Sequence, residues 1–391
     1  MNSPPLLICS LAFVVVVPQI GLGMTTPLLP DIATDLETSV SAAQGTLVAY
    51  MLGYALSVLG SGYLSDRYGP RRVQMSGLCI GTAAAALSAV SPDMGVFYAC
   101  RFLQALGVCV STVTTRLIIS TALPSDLRMP ALTTLTSALA ITPCIAPLMG
   151  AMLMPSLGWR GILLLIAAIS LLSLSLFFHA TRALPPTNQA GDGTVRLFSI
   201  YGSAFRNRAF LYHASAISLV WMSYFSFISC SAEPMQLGLG LTPVQYGLTL
   251  GCASIGYVAG SQIARRLARR MPPEQIIRRA ALLGFMAGLL LLLYGLTPFT
   301  SIIPFFLLLM PLLFATGMTI PATQAGMLQN TPHHTGVISG LFFFLQMLGG
   351  AFYAGAGNLL SPMSPAELFV FASLPFMILP LALRGISAQF S

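Results

Sequence analysis

The stretch GSGYLSDRYGPRRVQMSG, residues 60–77, sets one acid and three arginines inside a chain that is otherwise greasy on both sides. Of 391 residues 56% are hydrophobic and 7% charged, against about 25% charged in a soluble domain, and mean hydropathy is +0.84. A water-soluble fold of this length has no interior large enough for that much apolar surface, so the solvent is lipid. The stretch then reads as a polar turn between two membrane-crossing helices.

Crossing roughly 30 Å of hydrocarbon at 1.5 Å per residue takes about 20 apolar residues. Twelve such spans are predicted, at about 6–30, 44–64, 73–91, 95–117, 130–154, 161–180, 208–232, 244–263, 279–297, 302–325, 335–357 and 366–384. The formal charge of +8 comes from arginine, with no lysine anywhere. With the N-terminus in the cytoplasm, fifteen arginines fall in inner loops and Arg160 in an outer one, while Arg101 and Arg116 lie within span four. The outer loops carry Asp31, Asp35, Glu37 and Asp93 instead. The longest polar break, Thr181 to Arg208, contains LPPTNQAGDGTVR and divides the chain into six spans and six spans. The domains expected are therefore a six-helix bundle over 1–180, a cytoplasmic linker over 181–207 and a second six-helix bundle over 208–391. Each half has its densest inner charge between its second and third spans, the positional echo of a duplicated transporter.

The spacing Gly62, Asp66, Arg67, Gly69, Arg71, Arg72 resembles the signature loop of the major facilitator superfamily, at the loop where that family carries it. On residue physics alone these side chains are either a latch of hydrogen bonds and ion pairs that gates one conformation, or a solvated loop that only sets topology. In span four, RFLQALG is similar to a motif of the drug/proton antiporter branch, with Arg101 and Gln104 one turn apart, Gly107 kept and Ala105 where a glycine is usual. In span five, ITPCIAPLMGAML resembles the antiporter motif in part: Pro143, Pro147 and Gly150 fit, while Ala146 and Ala151 replace glycines. Length and the segment LPDIATDL after span one look most like the Bcr/CflA-type exporters. The resemblance implies an all-α polytopic protein, secondary efflux of a small organic molecule by alternating access, and a proton gradient in place of any cofactor. It also implies a multi-pass protein of the bacterial inner membrane with both termini cytoplasmic.

Charge inside the hydrocarbon marks candidate transport chemistry, since each arginine near a helix centre costs about 2.5–3.5 kcal/mol to insert. Arg101 and Arg116 are 15 residues apart, about four turns, and so share roughly one face. Arg116 can equally snorkel to the cytoplasm. No span carries a carboxylate at mid-depth; the nearest acids are Asp31, ending span one, and Glu233, ending span seven. Asp31 is either the exchanging partner of Arg101 or a helix-end cap facing water. Gln19, Tyr50, Tyr54, Trp221, Tyr224 and Gln346 are candidates for an adaptable cavity wall or for plain helix packing. Arginines without a central acid favour negative or neutral cargo, so an anionic metabolite such as a carboxylate siderophore stands beside drug-like compounds, and uptake of a small anion is a further alternative.

The arginines form no basic face with interleaved aromatics, which argues against nucleic acid as a partner. The expected partners are the lipid bilayer and a small-molecule substrate, with the chain acting as a monomer. Seven cysteines without a C-x-x-C pair read as small core hydrophobes, and His333 and His334 as a solvated inner loop more than a metal site. No cluster of acids, histidines or nucleophiles has catalytic spacing, so the chain is not expected to be an enzyme.

Overall fold

A computed structural model describes residues 4–182, 197–297, 302–330 and 335–387. Every regular element in them is helical: α1 Pro4–Gly23, α2 Leu29–Asp35, α3 Val40–Tyr68, α4 Pro70–Ser88, α5 Met94–Val108, α6 Ser111–Ala122, α7 Ser125–Thr181, α8 Leu197–Arg206, α9 Arg208–Cys230, α10 Pro243–Leu267, α11 Pro273–Gly295, α12 Ile302–Asn330, α13 Thr335–Leu359 and α14 Pro365–Ser387. Helix starts follow local chemistry. Ser39 and Asp93 accept the backbone N–H of Ala42 and Val96, Asn207 accepts that of Phe210, and Thr242 with Gln245 forms a capping box.

Nine stretches of the described residues are long and apolar enough to cross a membrane. One of them, 126–181, has 56 residues, far more than one crossing needs, and its backbone breaks at Gly158, where φ is 64° and ψ 171°. A side chain in that conformation is strained, so the glycine makes the sharp reversal between two arms of α7 that correspond to the spans predicted at 130–154 and 161–180. The helices α4 and α10, whose Gly, Ser and Arg content dilutes their hydropathy, are not among the nine. The span predicted at 95–117 is two helices, α5 and α6, offset at Cys109–Val110 by short i to i+3 backbone bonds. Beyond α1, prolines 27 and 30 replace a straight continuation by a 3₁₀ turn, Thr26–Leu28, and the short α2.

The surface is inverted relative to a soluble protein. Leu359 is 88% exposed and Phe352 77%, whereas Thr46, Ser61 and Gln74 are fully buried. Large aliphatic side chains are exposed on outward faces as well as buried in the core, and small and polar residues join the core in the helix contacts, the arrangement lipid allows. Hydroxyls turn back on their own helices, as Thr25 to the Gly21 carbonyl at 2.8 Å, and so satisfy themselves without water. Cys100, Cys109 and Cys230 are buried as core hydrophobes, but Cys9, Cys79 and Cys252 are exposed on outward faces.

In the first half α1 packs on α7, and α5 on both α3 and α4; in the second α12 packs on α10 and α11, and α9 on α13 and α14. The halves join mainly through α3 with α13 and α7 with α10, with smaller contacts of α3 on α9 and of the Thr26–Leu28 turn on α10. The helix ends separate by charge. Asp66 to Arg72, Arg128, Arg206 and Arg265 to Arg270 collect at one end, called the arginine-rich end below; Asp35, Asp93, Arg160 and Glu233 mark the acidic end. Residues 183–196 of the expected linker lie outside the described residues, as do His333 and His334. The rest of that linker differs from expectation: 197–206 is the helix α8, which buries Ile200 and Ala204, one turn apart, against α9 and α13.

Candidate functional site

A small cavity of about 30 Å³ lies between the two halves, lined by Gln19, Leu22 and Gly23 of α1, Thr26 of the 3₁₀ turn, Pro143 and Pro147 of α7, Trp221, Tyr224, Phe225, Phe227 and Ile228 of α9, Leu250, Ala253 and Ser254 of α10, and Leu313 of α12. The aromatic wall continues behind it, with Trp221 against Tyr224 at 5.3 Å between centroids and Tyr224 stacked on Tyr257 at 5.9 Å. None of these lining residues carries a charge. The prolines of α7 shape the wall, because an interior proline frees a carbonyl one turn back: the Pro143 carbonyl accepts the Ser254 hydroxyl of α10 at 3.4 Å. Gly150 lies against the backbone of Met24 so closely that a Cβ would collide, which brings α7 onto α1 at the acidic end of the cavity.

Bonds between the halves close that end. Gln236 donates to the Pro27 carbonyl at 3.2 Å and Ser41 to the Asn358 carbonyl at 2.7 Å. Toward the arginine-rich end the guanidinium of Arg116, on α6, lies over the Phe343 ring of α13 at 5.8 Å while donating to the Thr112 carbonyl of its own helix. The Tyr54 hydroxyl and the Thr112 hydroxyl are 2.8 Å apart.

Of the residues singled out by sequence, Gln19, Trp221, Tyr224, Pro143 and Pro147 meet in the cavity. Arg101 does not. It is wholly buried inside the first half, donating to Gln104 Oε1 at 2.7 Å and to the Gly21 carbonyl at 3.0 Å, with the Tyr50 ring at 4.7 Å. Tyr50 in turn donates to the Pro18 carbonyl at 2.9 Å. Arg101 and Arg116 lie on two separate helices, α5 and α6, with separate partners: Gln104, Gly21 and Tyr50 for the first, Thr112 and Phe343 for the second. Asp31, on α2, is half-buried and forms no ion pair with Arg101; the acid engaged near there is Asp35, 3.0 Å from Arg160, which also binds the Ala89 and Ser91 carbonyls. Glu233 accepts the Ser361 hydroxyl at the acidic end of the second half, away from the cavity lining. Gln346 is buried on α13, with no hydrogen-bond partner for its Oε1.

The signature turn joins α3 to α4. Gly69, at φ 84°, ends α3, and Pro70 opens α4 in the position where its missing N–H costs nothing. Arg71 donates to the Thr181 hydroxyl at 3.2 Å, pinning the turn to the end of α7. Gly62 is buried, Arg72 is exposed, and Arg67 reaches only Tyr63, at 3.3 Å, and the face of Tyr68, at 5.4 Å. Asp66 is exposed and has no ion pair among the described residues, so of the two readings, latch or solvated loop, no latch through Asp66 is formed in this conformation. Sequence reasoning missed Phe225, Leu250, Ser254 and Gln236. Two of them meet proline-bearing segments of the other half, Ser254 at Pro143 and Gln236 at Pro27, and none carries a linear signal of its own.

A family model described as Major Facilitator Superfamily matches residues 11–354. The chain is similar to Multidrug resistance protein D of Escherichia coli (strain K12), 25% identical over 391 residues covering 97% of this chain and 96% of that one. It is also similar to the Bicyclomycin resistance protein homolog of Haemophilus influenzae, 23% identical over 90% of this chain and 88% of that one. Among solved structures it superposes on the peptide transporter POT in complex with sulfate at a TM-score of 0.79, with 15% identity and coverage of 98% and 94%. A bacterial homolog to the human lysosomal transporter Spinster, in an inward-facing and unoccupied conformation, gives 0.72, with 16% identity and coverage of 99% and 97%. At these identities the solved structures speak for the fold.

Proposed function

This chain belongs to the major facilitator superfamily, and from that premise we propose that it exports small, aromatic, largely apolar organic compounds from the cytoplasm by alternating access. The observation that carries the reading is the uncharged aromatic cavity between the halves, with Trp221 and Tyr224 on one wall and Gln19 and Thr26 offering polar contacts on the other. The multidrug and bicyclomycin resistance proteins among its relatives support the same direction of transport. In this reading there are twelve crossings in two groups of six. The arginine-rich end faces the cytoplasm of a bacterium, and the bonds from Gln236 to Pro27 and from Ser41 to Asn358 shut the outer side. The proton gradient is the energy source, and Asp66 re-engages when the inner side closes.

An anionic metabolite, a carboxylate siderophore included, fits less well. Its case rested on arginines in a cavity without a central acid; no residue lining the cavity is charged, and the Arg101 guanidinium is buried inside the first half against Gln104, Gly21 and Tyr50.

Two fluorescent probes with one aromatic skeleton separate the readings: neutral phenylnaphthylamine and its charged relative anilinonaphthalene sulfonate. Everted vesicles containing the protein are expected to accumulate the neutral probe when a proton gradient is imposed, and right-side-out vesicles to exclude it. Preference for the sulfonate would return the anionic reading, and accumulation by right-side-out vesicles would reverse the direction.

A further inference from the structure

The described residues hold nine carboxylates, and none lines the cavity. A proton-driven exporter needs a titrating group that is shielded from water and linked to the helices that move. Within the described residues one such constellation stands out, at the arginine-rich end of the second half. The imidazole of His213, on α9, is 1% exposed, and its Nε2 lies 3.4 Å from Oε1 of Glu274 in the first turn of α11, whose side chain is 42% exposed. The other ring nitrogen, Nδ1, is buried with no hydrogen-bond partner. The ring packs on the backbone of Gly326 in α12, where a Cβ would fall within the imidazole. Three helices therefore meet on one titratable ring.

The surroundings leave Glu274 as the carboxylate in reach. Of the elements packed on α9, α12 and α13 contain no charged residue; α8 ends in Arg206, α14 carries Arg384 in its last turn, and α3 brings Asp66 and Arg67 at its end. Tyr212, beside His213, faces Arg278, one turn beyond Glu274 on α11. The link to the cavity is helical. Tyr224 is 11 residues beyond His213, about three turns, so both project from nearly the same side of α9, and α12 lends Leu313 to the cavity as it lends Gly326 to the ring.

We propose that His213 and Glu274 form the proton-release station of this transporter. The inference rests on the proton-antiport reading above and names the groups that serve it. A proton arriving at the free Nδ1 lone pair makes an imidazolium. The Nε2 proton then passes to the Glu274 carboxylate, leaving a neutral imidazole protonated at Nδ1. The resulting carboxylic acid gives its proton to water at the arginine-rich end, and a tautomeric shift, Nε2 gaining a proton as Nδ1 loses one, restores the starting ring. No other bond forms or breaks.

The test uses purified protein in proteoliposomes with a trapped pH indicator and phenylnaphthylamine as the probe. Wild type is expected to couple probe movement to an opposite proton flux. His213→Gln and Glu274→Gln are expected to lose accumulation driven by a pH gradient while keeping probe exchange down its own gradient, and Glu274→Asp to regain part of the coupling. Full proton-driven accumulation in either glutamine variant overturns the station and leaves antiport standing. A wild type that moves the probe without protons overturns antiport and the station with it. If His213→Gln fails to fold, the Glu274→Gln and Glu274→Asp pair decides alone.

Discussion

The Arg101 guanidinium lies over the ring of Tyr50, 4.7 Å from its centroid, and no carboxylate pairs with it. A buried cation held by a π face, an amide oxygen and a helix carbonyl is a structural tie between α5, α3 and α1. Arg101→Lys keeps the charge but loses the planar fork and the stacking, and is expected to cost about 2 kcal/mol. The expected outcome is a lower thermal midpoint in detergent with unchanged affinity for phenylnaphthylamine. Weakened affinity at full stability would place Arg101 in the cavity after all.

Trp221→Ala and Tyr224→Ala each remove one face of the aromatic wall, worth roughly 0.5–1.5 kcal/mol per ring pair, so probe affinity is expected to fall by up to about tenfold. Trp221→Phe should retain most of it. A fluorescence titration in detergent measures this, and unaltered binding in both alanine variants would move the substrate site elsewhere.

Ser41→Ala and Gln236→Leu each delete one hydrogen bond between the halves at the acidic end. At about 1 kcal/mol per bond, each shifts the open-to-closed ratio of that end by about fivefold, and the double variant multiplies the two. Distances between spin labels placed on α3 and α13 at that end report the populations. No change in either variant would deny these bonds a role in closure.

Gly150→Ala and Gly158→Ala should both destabilise, for different reasons. At Gly150 the new methyl meets the Met24 backbone, an overpacking cost of about 1–3 kcal/mol. At Gly158 nothing lies within 4 Å of a Cβ, and the cost of about 1–2 kcal/mol is strain at φ 64°. Enlarging the neighbourhood of Met24 by Met24→Ala is not expected to rescue Gly150→Ala, because the clash is with main chain. Thermal unfolding in detergent checks both.

The helical, membrane-embedded architecture and the signature turn were readable because they rest on local quantities: run length, hydropathy, the sign of loop charge, and a glycine and a proline at fixed offsets. The corner at Gly158 was readable as a connection between two spans, though not as a single residue joining two helices. The cavity was only half legible. Trp221 and Tyr224 announce themselves as large amphipathic side chains, and Pro143 and Pro147 as helix breakers, but Leu250 and Ser254 look like any packing residue until α10 is laid against α7. Arg101 misled for a physical reason: a charge in an apolar run signals function, and the run does not show that Tyr50, Gly21 and Gln104 are waiting to satisfy it. The pairing of His213 with Glu274 spans 61 positions of sequence and two helices, and no spacing rule reaches that far.

The long α7 has one further consequence. Its first arm presents Pro143 and Pro147 to the cargo and leans on α10, its corner is a single residue, and its second arm ends at Thr181, where Arg71 of the signature turn takes hold. The two helical arms, meeting at that one residue, join the turn at one extremity to the cavity wall at the other. Lengthening the elbow by a few glycines would cut that linkage while leaving both extremities chemically intact.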